Sequence, residues 1–376
     1  MSRSSKACTT ISRGARFGGR LLLIGAFSAL QPLARAAEEP PETPVAFYCL
    51  TEILAKSEPN AIMNAVDGWH GPYGSGRRQY AWSWIEAGVR GDHWGIGGLI
   101  RWDYDLRFNQ AAASLYGAVQ NKQDLPVGTT YNVRVQAHVI HAAGVRASWR
   151  GDLFRDLKAE FGLSLLRSNY MIEGSLQGTA DATGPKSYTY NASADYAYTK
   201  DVLFDRSVSP QDGLGFSLDA GIDWRLTPDW RVKARVRDLP GAVWWKQLPY
   251  TQAGATSDRS STDSQGFTHW APLVSGVESN HGTFRQNLPP QGDLELSYTS
   301  WEVVPTLGAN VQFGDWLPKV GLARAMGNWR LGGWCWPTTR AIGIEVGHDA
   351  WKVGLAMDNI QWGLVKAVSL TIAYQP

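Results

Sequence analysis

From Trp94 to Phe108 apolar and polar positions alternate along the chain. Trp94, Ile96, Gly98, Ile100, Trp102, Tyr104, Leu106 and Phe108 occupy one parity; Gly95, Gly97, Leu99, Arg101, Asp103, Asp105 and Arg107 occupy the other. A strand sends successive side chains to opposite faces, so this segment has one apolar surface flanked by aromatics and one surface with four charges. Ten steps separate Trp94 from Tyr104. At about 3.3 Å each and a tilt near 40°, they rise roughly 25 Å, the height of a lipid-facing band between aromatic girdles.

The pattern recurs. Tyr131 to Trp149 alternates, with Asn132, Arg134, Gln136, His138, Arg146 and Arg150 on its polar side; nineteen residues exceed a bilayer's needs and predict a strand projecting beyond it. Leu157 to Leu165 returns. Around Thr227-Pro228-Asp229, a three-residue turn places Trp224 opposite Val232, Ile222 opposite Ala234 and Ala220 opposite Val236 on one face. The other face then sets Asp223 opposite Lys233 and Asp219 opposite Arg237, pairs of opposite charge suited to a wet wall. A two-residue Gly91-Asp92 turn predicts Val89 opposite Trp94, with apolar faces coinciding. Trp82 and Trp84 then fall on the polar parity, which calls for a bulge or for aromatics lining an interior. Later alternating runs are Leu307 to Phe313, Ala341 to Gly347, Trp351 to Met357 and Leu364 to Tyr374.

Two stretches break the rhythm. Glu52 to Trp69 reads as more helical, so residues 37–78 are expected to form a periplasmic segment or plug with a possible first strand. Thr251 to Gly292 is rich in Ser, Thr, Asp, Gly, Gln and Pro and reads as one long surface loop, with room for one short hairpin. The expected fold is therefore all-β: a transmembrane antiparallel β-barrel of roughly 12–14 strands over residues 79–376, connected as an up-and-down meander. Two stacked sheets around a dry interior are the alternative that parity alone leaves open.

Residues 1–36 carry basic residues, the apolar run Leu21 to Leu30 and Ala34-Arg35-Ala36, the form of a secretory signal peptide cleaved near Ala36. Its removal changes the charge picture. All six ionisable residues of the leader are basic, so the rest of the chain has thirty Lys and Arg against thirty-four Asp and Glu, a net −4. A nucleic-acid partner, which needs a concentrated basic face, loses its support. Cys8 leaves with the leader, and Cys49 and Cys335 remain as either one disulfide or two unpaired thiols.

At the C-terminus Val368, Leu370, Ile372 and Tyr374 alternate with Ser369, Thr371 and Ala373. This resembles the last strand of Gram-negative outer-membrane β-barrels, departing from it in that Gln375 and Pro376 follow the terminal aromatic. The resemblance is architectural and porin-like, covers nearly all of the exported chain, and implies outer-membrane lipid and the barrel-assembly machinery as partners.

Strong catalytic signatures are missing: there is no GxSxG, HExxH, P-loop or CxxC. His138 and His141 lie three apart on a strand and so face opposite ways, which cannot gather one metal. No cofactor is implied. The basic ladder Arg231, Lys233, Arg235 and Arg237 shares one face of one strand, opposite Asp219 and Asp223, and Arg101, Asp103, Asp105, Arg107, Arg134, His138 and Arg146 are further candidates to line a lumen. Such a lumen suits passive diffusion of small polar solutes, anions among them. The alternatives are a non-conducting barrel serving as surface scaffold or partner in envelope assembly or polymer export, and a lipid-modifying outer-membrane enzyme with separated catalytic residues.

Overall fold

The structure is a computed structural model, and the residues it describes are 45–257, 260–262, 268–270 and 273–376. The leader, Cys8 and the acidic stretch Glu38 to Pro44 lie outside the described residues. The first five strands are β1 (Ala46–Ser57), β2 (Arg78–Arg90), β3 (Trp94–Phe108), β4 (Thr130–Phe154) and β5 (Leu157–Gly184). Then come β6 (Ser187–Tyr198), β7 (Gly213–Arg225), β8 (Trp230–Arg237), β9 (Gly241–Thr256), the small hairpin β10 (Ser260–Thr262) and β11 (Thr268–Trp270), β12 (Val274–Asn287) and β13 (Gln291–Tyr298). The last six are β14 (Val303–Gln312), β15 (Asp315–Met326), β16 (Trp329–Trp336), β17 (Ala341–His348), β18 (Trp351–Met357) and β19 (Ala367–Tyr374).

All but the β10–β11 hairpin join one antiparallel sheet of seventeen segments. The sheet closes on itself because β1 pairs with β2 on one side and β19 on the other, Cys49 facing both Ala87 and Tyr374. Three staves of the wall are each made of two segments end to end. β6 and β7 both pair with β5, β8 and β9 both pair with β7, and β12 and β13 continue the next stave against β9 and β8. Seventeen segments thus make fourteen staves around the circumference, at the upper end of the range expected from the sequence.

Parity decides what each face meets. On β3, Trp94, Ile96, Ile100 and Trp102 are 46–48% exposed on the outer surface, whereas Leu99, Arg101, Asp103 and Asp105 are at most 3% exposed inside. The outer surface continues through Leu163, Leu165, Leu307, Leu322, Ile342, Ile344 and Val353, all exposed. Aromatics gather at its lower edge, where Trp149 stacks on Phe161 (6.1 Å) and Tyr374 meets both Phe47 (6.4 Å) and Trp351 (4.8 Å). At the upper edge Trp102, His141 and Tyr170 form a row on the outside, His141 stacked on Tyr170 and tilted against Trp102. Among the described residues no helix is long and apolar enough to cross a membrane.

Several expectations change in detail. The β7–β8 register is as read from the sequence, with Ala220, Ile222, Asp223 and Trp224 opposite Val236, Ala234, Lys233 and Val232. The β2–β3 register is not. Val89 faces Ile96 rather than Trp94, because Gly91–Trp94 forms the connection, closed by Gly91 N–H to Trp94 O at 2.9 Å. A slip of two positions leaves the parity of every side chain unchanged, so the faces still coincide.

The span from Thr251 to Gly292 is not one loop. β9 runs on to Thr256 and β12 begins at Val274, so only the connection between them is long, and the wall includes the rest. Polar composition misled here because both segments belong to the part of the wall beyond the apolar band. β5, read as nine residues, has 28. Nor is the N-terminal segment a plug: β1 is a barrel stave containing Glu52, and only α1 (Ile62–Val66) is helical. α1 sits at the end opposite the short turns, where Ile62 N–H donates to Val365 O (2.8 Å). A second helix, α2 (Gln110–Gln120), starts where Asn109 Oδ1 accepts from Ala112 N–H (3.1 Å), and its alanines cover Phe108, Val133 and Val135 on the outside of the wall. Cys49 and Cys335 are unbonded, on β1 and β16, with three staves between them.

Placing a charge on the apolar band tests the assignment of faces. Ile100→Arg is expected to cost about 2–4 kcal/mol of stability, read as a lowered urea midpoint for the barrel folded in phosphatidylcholine vesicles.

Candidate functional site

The interior is built in layers from the short-turn end inward. The outermost layer is an open, charged vestibule of about 460 Å³. Asp223, Lys233, Glu295, Lys158, Arg150 and Lys352 are among the residues lining it, cations and carboxylates interleaved. Alternation accounts for this wall, since Leu294 and Leu296 face outward while Asp293 and Glu295 face in.

Above it lies a web of ion pairs. Arg146 reaches Glu86 (3.3 Å), Glu160 (2.9 Å) and Asp219. Gly162 makes room for this: a Cβ there would stand 2.3 Å from an Asp219 oxygen. Glu86 also accepts from Tyr48 Oη (2.6 Å) and Trp84 Nε1 (2.9 Å). Across the lumen Glu52 takes Arg235 on one oxygen (2.6 Å) and Arg237 on the other (2.5 Å), and Arg235 also donates to Asp293 at 3.0 Å.

The next layer is aromatic. The guanidinium of Arg237 lies over the rings of Trp82 (5.1 Å) and Trp84 (4.6 Å). These tryptophans pack with Tyr80, Trp245, Leu248, Ile140 and Phe313 into one buried cluster that fills the middle of the barrel. Trp82 and Trp84 therefore line the interior with no bulge, since the β1–β2 and β2–β3 ladders run through them unbroken. Arg101 is buried in the same layer, bonded to Asp103 and to Asp238 (2.7 and 3.0 Å).

The residues that parity nominated for the interior lie as follows. Arg231 forks onto Asp223 with two bonds of 2.5 Å, so Asp223 serves Arg231 more closely than the Lys233 opposite it. Asp219 binds Arg146 rather than Arg237. Asp105 holds Arg78 (2.7 Å) and Arg107 (2.9 Å), and both arginines cap Phe313 O. His138 faces Glu173 at 3.5 Å on the inside, and His141 stacks outside on Tyr170, as spacing demands. Arg134 is exposed at the long-loop end.

The basic ladder is thus no free anion ladder, because the carboxylates of Asp223, Glu52 and Asp293 bind Arg231, Arg235 and Arg237. The middle of the lumen is packed by side chains, whereas the sequence suggested an open polar bore. Glu52 was available from parity but masked by the plug assignment of residues 37–78, whereas Glu86, Asp293 and Glu295 lie outside both the plug and the 251–292 loop and were passed over. Asp238 has no sequence signal; it sits where the stave breaks between β8 and β9, with φ of 60°.

Breaking the buried Arg101 pairing tests the web. Arg101→Met leaves Asp103 and Asp238 without their cation and is expected to cost about 3–5 kcal/mol, most of it recovered when both aspartates become Asn. Guanidinium unfolding midpoints of the single and triple variants check this.

Solved structures similar to this chain include channels and transporters, all at low similarity. A TodX deltaS2S3 mutant monoaromatic hydrocarbon channel shares 10% identity over 89% of this chain and 90% of its own, with a TM-score of 0.41. The P. putida toluene transporter TodX gives 10% identity, 90% and 91% coverage and 0.40. The FrpB iron transporter from Neisseria meningitidis gives 8%, 89%, 83% and 0.22. At this identity and overlap the likeness says nothing about solute or mechanism. No curated protein matches the chain. A family model does match residues 154–374, from the end of β4 to the last strand, and the chain accordingly belongs to the Family of unknown function (DUF5723).

Proposed function

We propose that this chain is an outer-membrane channel or transporter for small polar solutes, closed in the state described. The reading rests on the vestibule: a charged space of about 460 Å³ enters the barrel from the short-turn end and stops against side chains, not against a backbone plug. Side chains can change rotamer without unfolding the wall, so Arg237 and the tryptophans beneath it form a barrier that can open. Outside, the apolar band with aromatic edges suits a bilayer, and a closed sheet leaves no backbone group unpaired in lipid. The turns at 91–93, 155–156, 226–229, 327–328 and 349–350 lie at one end of the barrel, the arrangement of a periplasmic face, and the longer connections 58–77, 109–129 and 358–366 lie opposite. Passive diffusion through a permanently open bore gives way, in this reading, to passage that requires displacement of the aromatic layer.

The packed middle of the barrel also favours a second reading, a non-conducting barrel that serves as a surface scaffold or as a partner in envelope assembly. Planar-bilayer recordings separate the two. Wild type is expected to conduct rarely, and Trp82→Ala combined with Trp84→Ala to raise conductance several-fold; a variant as silent as wild type would leave the scaffold. Changing Arg231, Lys233, Arg235 and Arg237 to Gln leaves Glu52, Asp223 and Asp293 unopposed. The reversal potential of the opened barrel in a KCl gradient should then shift toward cation selectivity.

A further inference from the structure

Between the vestibule and the aromatic layer is a second, smaller chamber of about 60 Å³. Glu52, Arg235, Arg237, Gln291, Asp293 and Gln312 are among its lining residues, and Trp82 forms part of its wall. Gln291, Trp82 and Gln312 are 1%, 4% and 6% exposed. Four of their polar atoms have no hydrogen-bond partner: Oε1 and Nε2 of Gln291, Oε1 of Gln312 and Nε1 of Trp82. Buried polar groups are nearly always paired, because losing water without gaining a partner is costly. Four such atoms around one cavity, two donors and two acceptors, describe a guest that both accepts and donates.

Charge narrows the class. The ionised groups around the chamber are two arginines and two carboxylates, already bonded to one another. Their charges cancel, so an ion entering would give up its hydration with no net counter-charge to receive it. A neutral guest meets no such barrier. Size narrows it again: with one water needing about 10–15 Å³ on this measure, the chamber holds on the order of four to six water-sized groups.

We infer that the Gln291–Gln312–Trp82 chamber is a binding site for a small, neutral, hydrogen-bonding solute of the polyol or carboxamide class, with roughly four to six non-hydrogen atoms. Its carbonyl or hydroxyl oxygens accept from Gln291 Nε2 and Trp82 Nε1, and its O–H or N–H groups donate to Gln291 Oε1 and Gln312 Oε1. As a binding site the chamber stands alone; as a statement of what crosses the membrane it rests on the channel reading above.

Saturation-transfer NMR on the folded barrel in detergent tests this, with glycerol and acetamide as neutral probes and glycolate and ethanolammonium as charged probes of similar size. Glycerol and acetamide should receive saturation at millimolar concentration and the charged probes at least fivefold less. Gln291→Leu and Gln312→Leu should each reduce the neutral signals at least fivefold, while Gln252→Leu, an exposed glutamine far from the chamber, leaves them unchanged. Should Gln291→Leu fail to assemble, Gln291→Met keeps the volume and carries the same expectation. Equal signals from charged probes, signals indifferent to the glutamine changes, or no signal at all, as for a chamber holding only water, would overturn the proposal. The readout needs no membrane, so a barrel that binds glycerol without conducting sinks the channel reading alone, and one that conducts without this signal sinks the chamber alone.

Discussion

The backbone of a strand in lipid has nowhere to hydrogen-bond except to another strand, and the rest of this architecture follows from that constraint. An open edge within the apolar band would leave a row of N–H and C=O groups without water, so the sheet must return to its start. It does so where β19 meets β1, in register from Cys49 to Lys56 along the edge of β1 opposite the β1–β2 ladder. Closure then divides every stave into a face toward lipid and a face toward an enclosed interior, and the two-residue period of the strand assigns each side chain to one of them.

The interior has its own problem. Fourteen staves enclose more space than a smaller barrel, and this chain fills it with long side chains from opposite walls. Arginines do much of the spanning. Arg237 reaches from β8 to Glu52 on β1 and to the tryptophans of β2; Arg146 reaches from β4 to Glu86 on β2 and Asp219 on β7; Arg101 reaches from β3 to Asp238. Each such cation is balanced by carboxylates, and Arg237 and Arg101 also lie over indole rings, which offsets the loss of hydration. The packing that closes the lumen is therefore the same packing that ties distant staves together, and opening it would couple passage to the web of ion pairs.

Much of the wall was legible in the chain. The faces of β3, the β7–β8 register and the inward aim of Trp82 and Trp84 all follow from parity, which is local and survives even the two-residue slip at Gly91. Other features were not legible. α2 carried a signal, Asn109 ahead of an alanine run, that alternation arguments pass over. The staves hidden between Thr251 and Gly292 are polar on both faces where they rise beyond the apolar band, so the contrast that marks a strand disappears.

Sequence alone determined that alternate residues meet different media, that the chain crosses as strands, and which charged residues point away from lipid, because a strand's period is set by its own backbone. The tertiary structure alone decided what those inward residues do. Whether Arg235 and Arg237 stand free or share Glu52, whether Gln291 and Gln312 border one chamber, and whether the lumen is open or packed all depend on which staves face each other across the barrel. That is fixed only when the sheet closes, by contacts between residues as distant as Glu52 and Arg237, which no local pattern records.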